Sequence, residues 1–160
     1  MTTRMGGWKG PRRIKAGRVF ERYQLWSTPF STVGFTVFRK ADETRMLHDH
    51  QWSFVSIILR GGYTELVADD IDQPTRERTH RWLSWHKMNR QQGHTITSVK
   101  HGTVTLLICG RRVRRHFRMW TPDGKLDAHL FFDWLASKGL TAQAEAGRTL
   151  REEIVAEGHA

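Results

Sequence analysis

Residues 47–65 read LHDHQWSFVSIILRGGYTE, and this stretch places two histidines, His48 and His50, directly before a run of strand-forming residues. Residues two apart on a strand point to the same face, so the two imidazoles face one side while Asp49 faces the other. Imidazole nitrogens bind zinc, iron, copper, nickel and manganese. The spacing therefore permits the pair to chelate one metal ion, although a third ligand has to come from elsewhere in the fold.

Gly61 and Gly62 separate two β-rich stretches, residues 53–60 and 63–68. Glycine adopts the positive φ angles of tight hairpin turns at no steric cost, and these turns match the twist of the strands. We therefore predict that the two stretches form an antiparallel hairpin. Short strands separated by turn signals are typical of a sandwich or barrel. Further strands are predicted at residues 33–39, 44–49, 79–85, 94–99, 103–109 and 113–120.

The 160 residues suffice for one domain with a sizeable core. Residues 1–18 combine glycine, proline and basic side chains, which predicts a flexible basic N-terminal arm. Residues 19–125 carry the strand signals and are predicted to form the barrel. In residues 126–160 apolar side chains recur at helical spacing, which predicts a C-terminal helical segment whose second helix covers roughly residues 141–157.

The charge balance favours anionic partners, since 26 Lys and Arg stand against 16 Asp and Glu, a net charge of +10. A small anionic molecule is the first expectation, and nucleic acid is the second. The single cysteine cannot form an internal disulfide, which fits a reducing compartment. The first residues lack the apolar region of a signal peptide, and no apolar run is long enough to cross a bilayer. We predict a cytoplasmic protein with no membrane contact.

His94 is the candidate for the third metal ligand. It begins a β-rich stretch after a loop, which allows a distant part of the chain to bring it opposite His48 and His50. The other histidines lack a comparable arrangement and are interpreted as mostly solvated or structural. They are His80, His86, His101, His116, His129 and His159.

Residues 111–118 read RRVRRHFR and are predicted to lie on a strand, one face of which would be wholly basic. Two interpretations stay open for this face. It could be a solvated edge strand whose charges resist edge-to-edge association. Alternatively, Arg112 and Arg114 could bind a substrate or a nucleic-acid backbone, because guanidinium groups bind carboxylate and phosphate bidentately.

Three tryptophans and the cysteine are predicted to have structural roles. Trp52, Trp82 and Trp85 are expected to pack in the core, with cavity lining as a second role. Cys109 is expected to be a small buried strand residue and not a nucleophile, because no local feature identifies a base for it.

An HxH pair, a hydrophobic strand, a glycine turn, another strand and a late histidine follow in an order that resembles the cupin superfamily. The pattern LHDHxWxFVSxxLxGGYxE, the GHTIT element and the CGRRVRRHFRMWTPDG tail further resemble a cupin-like family common in phages and bacteria, over roughly residues 20–125. The resemblance implies an all-β fold, a cupin-type β jelly roll (double-stranded β-helix) with a C-terminal helix or helices. It also implies metal ligation by His48, His50 and His94.

The glutamate of the first cupin motif would fall at Phe54 or Val55 and does not carry over. A three-histidine site similar to that of thiol dioxygenases is therefore the better comparison. Such a site leaves coordination positions open for substrate and for water or dioxygen. The implied cofactor is a divalent transition metal, Fe²⁺ first, with Zn²⁺, Mn²⁺ or Ni²⁺ as alternatives.

The implied function is a dioxygenase-like, metal-dependent oxidoreductase that acts on a small anionic substrate. Tyr63 and Glu65 share a strand face and are the candidate catalytic residues, which would orient the substrate or shuttle a proton. Two alternatives stay open, because fold resemblance alone does not make an enzyme. One is a metal-free ligand- or protein-binding module, and the other is a basic nucleic-acid-binding accessory protein. Cupins often dimerise, so a homodimer is a further expectation.

Overall fold

The structure is a computed structural model that describes residues 12–16, 19–42 and 46–139. Strands dominate these residues, and one helix follows them. The elements are β1 (Arg12–Ala16), β2 (Phe20–Ser27), β3 (Thr32–Phe38), β4 (His48–Asp49), β5 (Phe54–Arg60), β6 (Gly62–Ala68), β7 (Arg76–Arg81), β8 (Trp85–Met88), β9 (Gly93–Val99), β10 (Thr103–Cys109), β11 (Arg118–Thr121), β12 (Gly124–Asp127) and α1 (Ala128–Ser137).

The strands form two six-stranded sheets whose paired neighbours are all antiparallel. One sheet has the order β1-β2-β3-β10-β5-β8, and the other has the order β12-β11-β4-β9-β6-β7. From β3 to β11 the chain passes between the sheets at every connection except that from β6 to β7. This interleaving of strands from two sheets is the jelly-roll arrangement, so the predicted all-β fold is confirmed.

The main core lies between the two sheets. Alternate residues of β10 point inward, and Cys109 among them is 1% exposed, so its predicted place as a buried strand residue is confirmed. Burial raises the pKa of the Cys109 thiol to about 11. Trp52 packs against this core as expected. The buried residues of the cluster are Phe54, Val67, Met88, Leu107 and Cys109.

The predicted hairpin of residues 53–60 with 63–68 is wrong. β5 pairs with β10 and β8, whereas β6 pairs with β7 and β9 in the other sheet. The two glycines carry the chain from one sheet to the other. Gly61 has a φ of 77°, and a Cβ added there would lie 2.4 Å from Oγ1 of Thr103. The crossover therefore needs glycine for its conformation and for its lack of a side chain.

The predicted strand at residues 79–85 is also wrong, since the chain turns between β7 and β8, which belong to different sheets. Leu83 sits in this turn with a φ of 60°. Trp82 and Trp85 flank it and are 67% and 69% exposed, so the expectation that they pack in the core is contradicted. A run of strand-forming residues concealed a turn whose position is set by pairing to two separate sheets.

Both ends of the described chain pack against the two sheets. Residues 12–16, assigned to the arm, form β1, which pairs with β2 at a sheet edge. Residues 1–11 and 17–18 of the predicted arm lie outside the described residues, as does the predicted helix at 141–157. Helix α1 packs Phe131 and Leu135 against Met119. Among the described residues no helix is long and apolar enough to cross a membrane.

Candidate metal centre

His48, His50 and His94 come together on adjacent strands. β4 pairs with β9, and His48 lies directly opposite His94 in their register. Nε2 of His50 is 2.8 Å from Nε2 of His94. The three ring centroids are 4.8 to 5.3 Å apart, and one ligand nitrogen from each ring lies within 4.8 Å of the others. The three side chains that the sequence singled out therefore form one group able to hold a metal ion.

The two-residue strand β4 is held in place by the side chain between the two histidines. Asp49 is fully buried and faces away from the imidazoles. Its carboxylate accepts hydrogen bonds from Arg114 at 3.0 Å and from Arg118 at 2.6 Å. The ion pairs on one face of β4 thus fix the strand, while the opposite face presents His48 and His50.

The predicted strand at residues 111–118 is wrong, because regular structure begins only at Arg118, where β11 starts. The guanidinium of Arg114 donates hydrogen bonds to Asp49 and to backbone carbonyls. Arg112 donates to the carbonyl of Arg114 and lies over the ring of Trp52 at 5.9 Å. Both guanidinium groups have partners within the protein, and substrate binding by either stays a prediction.

Two imidazoles of the group, those of His48 and His50, are neutral at pH 7. Burial, followed by the charge of His94, lowers the pKa of His48 to about 4. Burial and the same neighbour lower the pKa of His50 well below its ordinary value. Nδ1 of His94 lies 2.5 Å from Oε2 of Glu65, and because a carboxylate only accepts, Nδ1 donates. The Nε2 lone pair of His94 then faces His50, which suits metal ligation.

Glu65 lies behind His94 and orients it. The carboxylate is fully buried, and it also accepts a hydrogen bond from Nε2 of His80 at 2.7 Å and pairs with Arg78 at 3.1 Å. Burial by itself would raise the pKa of Glu65, but the hydrogen bonds from His80 and His94 outweigh it and hold the pKa well below its usual range. A carboxylate that fixes the tautomer and direction of an imidazole is the usual partner of a metal-bound histidine.

Tyr63, the other predicted catalytic residue, is buried next to different histidines. Its hydroxyl lies 3.2 Å from Nε2 of His86, and its ring contacts His80 and Phe38. Burial raises the pKa of Tyr63 far above its ordinary value. The structure thus separates the roles of the two candidates, since Glu65 touches His94 whereas Tyr63 touches His86.

Arg22 is a candidate that the sequence did not reveal. It lies on β2 opposite Thr36, and its Nε donates to Oγ1 of that buried residue at 3.3 Å. Its charge lowers the pKa of both His50 and Cys109, which places the guanidinium near the group of histidines and the core. Burial lowers the pKa of Arg22 itself. Among the described carboxylates none forms an ion pair with it.

His80 and His86 were also missed as a group. They are 6% and 8% exposed, and their rings stack at 3.9 Å, so neither is solvated. Together with Glu65 they form a second cluster of potential metal ligands. They come from β7 and β8, which belong to different sheets, so their spacing along the chain does not predict that their side chains contact each other.

Solved structures share the fold of this chain at low sequence identity. A variant of oxalate decarboxylase from B. subtilis superposes with a TM-score of 0.56 and 11% identity, over 94% of this chain and 41% of that chain. Hydroxypropylphosphonic acid epoxidase from S. wedmorenis gives 0.51 and 13%, over 62% and 55%. An iron(II) form of HppE gives the same values. An RmlC-like cupin from Shewanella frigidimarina gives 0.47 and 13%, over 68% and 91%.

The two interleaved sheets and the likenesses with TM-scores of 0.51 and 0.56 define a cupin-type β-barrel fold. The chain spans about half the length of the epoxidase that it matches. No protein-family model and no curated protein sequence matches it. The fold is thus that of the cupins, and the function has to be argued from the site.

Proposed function

We propose that His48, His50 and His94 hold a divalent transition metal and that the protein is a dioxygenase-like enzyme acting on a small anionic molecule. The convergence of three imidazoles carries this proposal, because three protein ligands leave further coordination positions open to substrate. Ligand nitrogens about 2.1 Å from a metal lie roughly 3 Å apart, and the 2.8 Å between the Nε2 atoms of His50 and His94 is close to this separation. Fe²⁺ is the first candidate, and Zn²⁺, Mn²⁺ and Ni²⁺ are the alternatives.

The surrounding residues fit the demands of a catalytic metal. Such an ion, when bound, supplies Lewis acidity or, if it is iron, the activation of dioxygen. Glu65 fixes the direction of His94, and the Asp49 ion pairs fix the strand that carries the other two histidines. Phe54 packs against His50 with ring centroids 4.9 Å apart and restricts water on that side. The iron(II) form of HppE supports iron as the first choice.

An anionic substrate is supported by the charges of the site. Three neutral imidazoles leave the charge of a divalent ion uncompensated, and Arg22 adds a guanidinium with no carboxylate partner among the described residues. A carboxylate, phosphate or phosphonate would be attracted to both charges. The name of the epoxidase from S. wedmorenis contains a phosphonic acid, an anion of this class.

Metal counting tests the metal site. The double variant His48→Ala/His50→Ala is expected to bind one ion per chain fewer than the wild type after dialysis against Fe²⁺ under nitrogen. The exposed His101 offers a matched control, and His101→Ala should keep the wild-type metal content. An unchanged metal content in the double variant would show that these histidines are not the ligands.

Anion binding tests the substrate class. Carboxylates, phosphates and phosphonates are expected to raise the Tm of the metal-loaded protein more than neutral analogues of the same size. Arg22→Gln should abolish the difference, whereas Arg112→Gln, which removes an exposed guanidinium, should preserve it. Equal stabilisation by neutral and anionic compounds would contradict the proposed substrate class.

The alternative functions stay predictions. A metal-free binding module would leave the three imidazoles without an ion, and the metal count decides this directly. Nucleic-acid binding rests on net charge and on basic N-terminal residues that mostly lie outside the described chain. Nucleic-acid binding would be recognised by an affinity for DNA that falls steeply as the salt concentration rises.

A further inference from the structure

A second group of ligating side chains lies on the other side of the Glu65 carboxylate. It consists of Glu65, His80 and His86, and one ligand atom of each lies within 4.8 Å of the others. All three residues are buried, with exposed fractions of 0%, 6% and 8%. The group shares no side chain with the three histidines described above, so it constitutes a separate candidate site.

The donor set of this group suits a divalent transition metal. One carboxylate and two imidazoles form the ligand combination of many such sites, and they leave coordination positions open. Oε1 of Glu65 lies 2.7 Å from Nε2 of His80. The rings of His80 and His86 stack at 3.9 Å with an interplanar angle of 27°, so the two imidazoles lie against each other.

One ring nitrogen of the group lacks a partner. Nδ1 of His86 is buried, and no atom of the described residues forms a hydrogen bond with it. The other nitrogen of the ring, Nε2, lies 3.2 Å from the hydroxyl of Tyr63. Buried polar atoms are paired in the great majority of cases, so an orphaned nitrogen on an imidazole of this group indicates that a ligand belongs there.

We propose that Glu65, His80 and His86 form a second divalent-metal site, next to the first and joined to it by Glu65. The carboxylate directs Oε1 toward His80 and Oε2 toward His94, so each oxygen serves one site. Metal binding displaces the proton between His80 and Glu65, as metal ions do when they bind imidazole. This site stands on its own residues and does not depend on the proposed function.

Among the described residues, Arg78 is the cation that forms an ion pair with Glu65 and opposes a metal ion there. Its NH2 group lies 3.1 Å from Oε1 of Glu65, and its side chain is 26% exposed. The guanidinium therefore competes with a metal for the same oxygen, but it can move toward solvent. Because the competition is electrostatic, Arg78→Gln should tighten metal binding at this site.

Cobalt titration of the metal-free protein tests the second site, with Co²⁺ counted per chain and the visible absorption of bound Co²⁺ as the spectroscopic readout. The wild type is expected to bind two ions. His86→Gln should bind one and lose one of two absorption components, and His48→Ala/His50→Ala should also bind one while losing the other component. Arg78→Gln should bind two, with the second bound at least threefold more tightly.

A buried histidine can be required for folding, so each variant is compared with the wild type by far-UV circular dichroism and by its metal-free Tm. His80→Asn provides a second substitution that keeps a polar group in the same place. One Co²⁺ per chain in the wild type, together with an unchanged count in folded His86→Gln and His80→Asn, would overturn the second site. An unchanged count in the His48→Ala/His50→Ala variant would overturn the first site instead, so the two failures are distinguishable.

Discussion

At the scale of single residues, Glu65 organises the interior of the barrel. It is a fully buried carboxylate with three positively polarised partners, the imidazoles of His80 and His94 and the guanidinium of Arg78. A buried charge of this kind is tolerated only when it is paired and hydrogen-bonded. Its position behind His94 makes it a positioning residue for the proposed metal.

Replacing this carboxylate should affect both stability and metal binding. We expect Glu65→Gln to lower the free energy of unfolding by about 3 kcal/mol, because it leaves buried donors without their anionic partner. We also expect the affinity of the three-histidine site for metal to fall about 10- to 100-fold, since His94 loses the group that orients it. Urea unfolding and metal titration measure the two effects.

Glu21→Gln is the matched control. Glu21 lies on β2, and its nearly buried carboxylate forms ion pairs with Arg13 and Arg39. Metal affinity should be unchanged in this variant. A wild-type metal affinity in Glu65→Gln would refute its role in orienting His94.

The lowered pKa values of two buried histidines, His48 and His86, allow the stability of the metal-free protein in acid to be predicted. The pKa of His48 is lowered to about 4, by burial and then by His94, and that of His86 is lowered to about 4, by burial and then by His80. In the unfolded chain both titrate near 6.5, so between about pH 4 and 6.5 the unfolded state binds more protons. The free energy of unfolding should therefore fall as the pH drops through this window.

Urea unfolding of the metal-free protein at several pH values between about 7.5 and 4.5 measures this loss. His86→Gln removes one of the histidines with a lowered pKa, while His48 and His50 remain, and should show a shallower dependence on pH. Constant or rising stability on acidification would mean that these imidazoles are not held neutral in the folded protein.

At the scale of elements, the corners between sheets decide the topology. The crossover at Gly61 and Gly62 joins β5 and β6, and the turn at Leu83 joins β7 and β8. Both were misread from the sequence, because the glycine pair signals a change of direction without saying which strands will pair on either side, and the turn at Leu83 lies within a run of strand-forming residues. Strand pairing is fixed by which faces become buried together, and that depends on the whole barrel.

The crossover glycine can be tested against a glycine of similar conformation. Gly61 and Gly102 have φ angles of 77° and 73°, but an added Cβ would meet Thr103 at Gly61 and open space at Gly102. Gly102→Ala should cost about 1 kcal/mol, the cost of a positive φ alone. Gly61→Ala should cost clearly more, because Thr103 must also shift. Equal losses of unfolding free energy in the two variants would show that the contact at the corner is unimportant.

At the scale of the whole molecule, the sequence predicted the parts of the site that depend on local pattern. Side chains two apart on a strand face the same side, so the HxH pair could be recognised as a pair of ligands. His94 lies near the start of a strand, so it could also be named from the sequence. Arg22 could not be found in this way, because its relation to the histidines arises only when β2 joins the sheet. The contact between His80 and His86 could not be predicted for the same reason, because it forms only when both sheets are in place.

Part of the positive charge of the chain serves the fold, and the preference for anionic partners that the net charge of +10 predicts stays a prediction. Arg114 and Arg118 serve the buried Asp49, and Arg112 packs on the chain itself, so part of the basic segment is structural. Arg22, in contrast, points to the barrel interior, where it contacts the Thr36 hydroxyl and the Phe20 ring and has no carboxylate partner among the described residues. Charge inside the barrel, and not the basic segment, is the feature that supports an anionic substrate.

Anomalous diffraction from crystals of the metal-loaded protein, recorded at the absorption edge of the metal, tests the three-histidine centre most directly. The proposal predicts a peak about 2.0 to 2.2 Å from one ring nitrogen of each of His48, His50 and His94, with coordination positions left free of protein ligands. Crystals with bound metal elsewhere and no peak among these three imidazoles would contradict it.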